Sequence, residues 1–145
     1  MANLSTVYMG IKLKSPFIVG ACSLTSDMDS IRQAEDAGAG AIVIKSLFEE
    51  QIVSELQDIA TDSWHYGHPE ASEYLEKMGM ALGPREYLKL IEDAKNSVSI
   101  PVIASLNCVS SEHWMEYAKQ IAAAGADGLE LNIAVMPSNP EITSQ

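Results

Sequence analysis

A run of small side chains occurs twice in the chain, as Ala37-Gly38-Ala39-Gly40-Ala41 and as Ala124-Gly125-Ala126-Asp127-Gly128. Each follows apolar residues at helical spacing and precedes a short β-branched run, so each marks a tight helix-to-strand turn. Pro16-Phe17-Ile18-Val19-Gly20 and Pro101-Val102-Ile103-Ala104-Ser105 form a second matched pair, about the same distance apart. A βαβ unit therefore recurs. Strand and helix in alternation predict a parallel sheet with right-handed crossovers. Repetition with a small-residue turn favours a closed barrel over a doubly wound open sheet.

The elements follow from local signals. Thr6 to Leu13 reads as a hairpin turning at Gly10, and Phe17–Ala21 as a buried strand. Ser26-Asp27 is a helix N-cap, Met28, Ile31, Ala34 and Ala37 share a helical face, and Gly38 ends it. Ala41–Ile44 is a second buried strand running into Lys45-Ser46. From Leu47 to Leu82 the periodicity weakens, and a connection of that length in a compact domain suggests a lid or substrate loop. Pro84 opens a helix through Tyr87, Leu88, Ile91 and Ala94. Pro101–Leu106 is the third main strand. Ser110 or Ser111 caps a helix carrying Trp114, Tyr117, Ile121 and Ala124. Leu129–Asn132 is the fourth strand.

With 145 residues, the chain suits one domain but is well short of the roughly 250 of a complete barrel. Twenty acidic against nine basic residues give a net charge of −11, which argues against general nucleic-acid binding and against docking on anionic membranes. No apolar run is long enough to span a bilayer, and the start has no signal-peptide pattern. Cys22 and Cys108 make no disulfide or metal framework, so a reducing, cytoplasmic setting is expected.

Strand side chains alternate faces. Lys45 is then on the face of Ala41 and Val43, Asn107 on that of Ile103 and Ser105, and Asn132 on that of Glu130. A polar residue just past a strand is ordinary turn chemistry. Three at equivalent strand ends are more informative, because those ends form the site in a parallel barrel. Glu130, a carboxylate inside a strand, needs a partner if it faces inward, and none stands out in the sequence. Gly20-Ala21-Cys22-Ser23 offers free backbone groups to a flat ligand, or simply a tight turn. Neither a Gly-x-Gly-x-x-Gly nor a Gly-Lys-Ser/Thr loop is present. His65 and His68 read as a solvated loop and no metal site is expected. Met78 and Met80 suit core packing or an apolar pocket. Cys22 and Cys108, near strand ends, read as small core residues or as reactive thiols.

Pro16-Phe17 through Gly20-Ala21, Ala39-Gly40-Ala41 to Lys45-Ser46, Met78-Gly79, and Ala126 through Asn132 together resemble the N-terminal half of dihydroorotate dehydrogenases. Ile103–Cys108 with the Trp114 helix also resembles the pyrimidine-reducing domain of dihydropyrimidine dehydrogenase. The resemblance covers nearly the whole chain. It implies the N-terminal half of a parallel (β/α)8 TIM barrel, with four main strands plus the short hairpin, residues 1–145 being a partial FMN-binding domain. It implies FMN across the barrel mouth, with backbone contacts from Gly20, Ala21 and Cys22. Lys45 and Ser46 would lie beside the isoalloxazine, Lys45 as the catalytic cation that stabilises reduced flavin. Asn107 and Asn132 would hydrogen-bond the flavin or a pyrimidine-like substrate, and Met78 and Gly79 would belong to the substrate loop.

Two departures bear on the substrate. Val135 stands where the family has its Cys or Ser general base, and valine cannot accept a proton. Glu76-Lys77 stands where the family has Asn-Ser before Met-Gly. Flavin binding tolerates both changes, and a substrate other than dihydroorotate is expected. The phosphate of such a flavin is held by loops after strands seven and eight, so a truncated product or fragment is expected, with open sheet edges that favour self-association. Two other readings remain: a barrel lyase using Lys45 as a Schiff-base amine, and a fragment that is non-catalytic or an assembly partner.

Overall fold

The computed structural model describes residues 3–49, 84–108 and 111–133. The lid or substrate loop expected from Leu47 to Leu82 begins within the described residues, where Leu47 and Phe48 form a short strand rather than loop; the rest of it, with Glu76, Met78, Gly79 and both loop histidines, lies outside them, as do Ser110 and Val135. The chain opens with a two-stranded antiparallel hairpin, β1 (Thr6–Tyr8) and β2 (Ile11–Leu13), in which Tyr8 faces Ile11 across the turn. Met9 and Gly10 both take positive φ, 51° and 80°. That pair of angles makes a type I′ turn, whose twist matches the flanking strands.

The remaining strands are parallel. β3 (Ile18–Val19) pairs with β4 (Ala41–Val43), β4 with β6 (Val102–Asn107), and β6 with β7 (Gly128–Leu131). A two-residue strand, β5 (Leu47–Phe48), continues the line of β4 and pairs with the far end of β6. With β4 and β5 taken as one broken strand, the strands lie in chain order across the sheet, without a reversal. The chain is thus an α/β fold on a mostly parallel sheet.

Helices α1 (Met28–Asp36), α2 (Arg85–Ser97) and α3 (Ser111–Ala123) connect the strands. Asp27 caps α1, its carboxylate accepting from the Ser30 amide at 2.9 Å. The repeated small-residue run is a repeated structure. Gly38 and Gly125 adopt φ of 93° and 90°, and the amides of Ala39 and Ala126 reach back five residues to the carbonyls of Ala34 and Ile121. The next residue but one after each glycine then enters the sheet: Gly40 donates to Phe17 at 2.7 Å and Asp127 to Val102 at 2.8 Å.

The two copies differ at that entry residue for a packing reason. A Cβ on Gly40 would sit 1.8 Å from the Ser15 carbonyl oxygen, so only glycine fits. The second copy has room for Asp127, whose Oδ2 accepts from the Val102 amide at 2.8 Å and from Lys95 Nζ at 2.7 Å. One carboxylate thus ties α2 to the starts of β6 and β7.

All three helices cover one face of the sheet. Ile42, Ile44, Val102, Ala104 and Leu106 project there against Ile31, Ile91, Ala94, Tyr117 and Ile121. On the other face Ala41, Val43 and Ile103 pack against Leu13, with Ile11, Ile18 and Ala21 beside them. The hairpin therefore lies over the early residues of β4, β6 and β7. The expectation of a buried first strand is corrected: Ile18 and Val19 are only half-buried, and Phe17 is 70% exposed. Among the described residues β3 is an edge strand, paired on one side.

Gly40→Ala should lower unfolding free energy by about 1–3 kcal/mol through overpacking. Gly20→Ala, where a Cβ meets nothing within 4 Å, should stay within about 0.5 kcal/mol of the parent. Urea denaturation of the two variants checks the contrast.

Candidate active site

The polar end of the sheet is organised by one irregularity. Val43 pairs with Ile103 and Leu47 with Leu106, so four steps along β4–β5 match three along β6. The extra residue makes a β-bulge, a device that re-aims side chains beside functional sites. Toward this edge β6 offers its alternate residues, the carbonyls of Pro101 and Ile103 accepting from Ile42 and Ile44. Ser105 comes next, opposite the bulge. The Tyr87 hydroxyl, reaching down from α2, takes the strand's place: it donates to the Ser105 carbonyl at 2.9 Å and accepts from the Ser105 amide at 2.8 Å. Burial pushes the Tyr87 phenol well above its ordinary range, and the negative charge of Glu130 acts in the same direction.

The bulge also adds a residue that the alternation argument did not count. With one residue extra, Ser46 rather than Lys45 comes to stand beside Ser105, and the two hydroxyl oxygens lie 2.8 Å apart. Ser105 is fully buried, and its hydroxyl donates to Glu130 Oε1 at 2.8 Å. Glu130 thus has a partner after all. The pairing of the strands supplies it: β6 and β7 are in register with Ile103 opposite Gly128, which sets Ser105 opposite Glu130. Ser105 and Tyr87 are the site residues that sequence reasoning passed over. Tyr87 reads there as a plain helix-face aromatic.

Lys45 is exposed, and its amide bonds the Thr25 carbonyl at 3.4 Å. Its side chain and Ser46 line an open cleft of about 580 Å³ beside α2, with Glu86, Tyr87 and Lys89 on the helix side. Asn107 is buried and its Nδ2 donates to the Asn132 carbonyl at 2.9 Å, while the Asn132 amide bonds the Leu106 carbonyl. The two asparagines are therefore neighbours that tie the ends of β6 and β7. Gly20 and Cys22 are exposed at the end of β3, whereas Ala21 packs on the apolar inner face. Cys22 is held locally, its amide donating to Thr25 Oγ1 at 3.3 Å. Cys108 is buried just past β6. Among the described residues no group of three or more His, Cys, Asp or Glu side chains could hold a metal ion. Nor is any helix among them long and apolar enough to cross a membrane.

Parallel strands thus gather hydroxyl, carboxylate and amide groups at their C-terminal ends. The chain's curated homologues are dihydroorotate dehydrogenases. The dihydroorotate dehydrogenase B (NAD(+)) catalytic subunit of Methanosarcina acetivorans is 31% identical over 133 residues, which is 86% of this chain and 39% of that protein. The same subunit from Methanosarcina mazei is 31% identical over 133 residues, 86% of this chain and 38% of the relative. That of Thermoplasma volcanium is 23% identical over 141 residues, 92% of this chain and 42% of the relative. The chain thus spans about two-fifths of the length of the dihydroorotate dehydrogenases it matches. No family model matches it.

Removing the hydroxyl that fills the bulge should be costly. Tyr87→Phe leaves a buried amide and a buried carbonyl of Ser105 without their partner, and should destabilise the chain by about 1–3 kcal/mol or more. Chemical denaturation gives the loss. Hydrogen exchange should localise it, with the Ser105 amide losing protection before its neighbours in β6.

Proposed function

We infer that residues 1–145 are the first half of a (β/α)8 barrel, a partial FMN-binding domain carrying strands one to four. The complete protein is then an FMN-dependent oxidoreductase of the dihydroorotate-dehydrogenase-like type, acting on a pyrimidine-like ring. The observation that carries this reading is the division of the inner sheet face by depth. Its early residues are apolar and lie under the hairpin, while its late residues, Ser46, Ser105, Glu130 and Asn107, are polar. Among the described residues the strands lie in chain order and the helices cover one face, which supports barrel winding over a doubly wound sheet with helices on both faces.

The chain's residues fit part of a flavin site. Gly20 presents backbone at a strand end with open space around it, so a flat ring can approach closely. Ala21 adds an apolar wall, and Cys22 and Ser46 are polar groups at the same level of the sheet. Lys45 brings an exposed cation, and a fixed positive charge beside a reduced flavin stabilises it. Asn107 and Asn132 sit where a ring's edge would be read. When bound, FMN supplies a two-electron acceptor for a carbon–carbon bond of the substrate. The flavin phosphate is held in such barrels by loops after strands seven and eight, which the remaining part of a full-length protein would provide. Val135 and Glu76, at the positions where the family has its base and its pyrimidine-reading asparagine, direct the substrate away from dihydroorotate itself. Met78 and Gly79 would complete the substrate loop.

Among the described residues β3 and β7 are edge strands, which favours a second reading for the chain by itself, that of an assembly partner which associates through its strand edges. An absorbance spectrum with added FMN separates the two. Flavin bands that are perturbed and survive desalting, and weaken in Lys45→Ala, are the outcome expected for a competent half-site. Loss of all flavin on desalting, with elution as a dimer or larger, would leave only the assembly reading for the isolated chain.

A further inference from the structure

The repeat that shapes the chain also defines what its two edges lack. β3–α1–β4 and β6–α3–β7 are the two copies of the unit, and their registers coincide. Ile18 stands opposite Ala41 in the first as Ile103 stands opposite Gly128 in the second. One seam joins the copies. Where β4 meets β6, Ile42 stands opposite Val102 and Val43 opposite Ile103. There the amides of Ile42 and Ile44 donate to the carbonyls of Pro101 and Ile103 at 3.0 and 2.8 Å. The end of one unit thus carries the pattern that the start of the next accepts.

The same two patterns recur at the free ends. Stepped along its register, β7 is a second β4, with Leu129 and Leu131 in the places of Ile42 and Ile44. β3 is likewise a second β6, with Phe17 and Ile18 in the places of Val102 and Ile103. Burial shows what is missing. Ile44 and Val102, in the seam, are fully buried, whereas Leu131 and Phe17 are 52% and 70% exposed. Among the described residues both strands are edges. The sheet is parallel throughout, so its two edges run the same way.

We propose that two copies of this chain close on each other, β7 of each pairing with β3 of the other through two identical seams built like β4–β6. Half a turn about an axis along the strands forms both seams at once. Four strands from each copy then make the eight of a closed parallel barrel, with the helices outside. In each seam Leu129 stands opposite the partner's Phe17, and the amide of Leu131 donates to the carbonyl of the partner's Ile18. Closure leaves no strand edge to recruit a third copy. The proposal rests on the assembly reading given above and names its partner.

The test is association of the full chain, followed by sedimentation at about 0.5 M salt, which screens repulsion between chains of net charge −11. The expected species is a dimer that grows no further as concentration rises. Hydrogen exchange should show protection of the Ile18, Leu129 and Leu131 amides rising with concentration. Phe17→Lys and Leu131→Glu, both at exposed positions, should each weaken dimerisation by about ten-fold or more, since each buries a charge without a partner. Both changes in one chain should recover most of that loss, because each seam then sets the new ammonium beside the new carboxylate. A chain that stays monomeric overturns the proposal and the assembly reading together. Growth past the dimer, weakened by both single changes, overturns closure by two copies and leaves assembly through strand edges standing. A dimer indifferent to both changes puts the contact elsewhere and overturns the proposal, as does a double variant no better than the singles. Should one single variant fail to fold, the other and the amide protection decide.

Discussion

A single phenol hydroxyl closes the only break in the inner ladder among the described residues. Where β4 gives way to β5, one residue too many leaves the amide and carbonyl of Ser105 without a strand to pair with, and Tyr87 from α2 meets both. A buried pair of backbone groups left unmet would cost enough to undo a small domain's net stability. With the hydroxyl there, the sheet keeps its irregularity and gains its use: Ser46 is turned to Ser105, and Lys45 is released toward the cleft. The helix layer and the polar end of the sheet are thereby one construction. α2 is as much part of the site as the strands are.

The two halves of the inner face obey different rules. Near the strand starts, Ala41, Val43 and Ile103 are covered by Ile11 and Leu13 and need only shape. Near the strand ends, polar groups are held by one another: Ser105 to Glu130, Ser46 to Ser105, Asn107 to the Asn132 carbonyl. Ser105 and Asn107 are buried while Glu130 is exposed, so the network ties buried polar groups to the solvent edge of the sheet. The same network fixes hydroxyl directions that a more open site would leave free to rotate.

Much of this fold is legible in the sequence, because it is written in local signals. The glycine turns at Gly38 and Gly125, the Asp27 cap and the Met9-Gly10 turn follow from steric rules that act within a few residues. Alternation placed Ser105 and Asn107 on one face correctly. It missed Ser46 beside Ser105, since a bulge is a property of two strands together and leaves no mark on either alone. Phe17 shows the same limit from another side: an apolar run predicts burial, but burial depends on a neighbour that the run does not specify. Tyr87 was illegible for a related reason. An aromatic on a helix face looks like packing until the strand it reaches is known to lack a partner.

The hairpin carries a consequence for how the chain is made. Ile11 Cδ1 lies 3.5 Å from where a Cβ on Gly128 would stand, so the second strand rests on the last described one. These residues leave the ribosome early and late respectively, and the contact cannot form until synthesis has passed β7. Long-range closures of this type slow folding and prolong the exposure of apolar surface. Val7, Tyr8 and Met9, all exposed even in the folded chain, would meet chaperones throughout that wait.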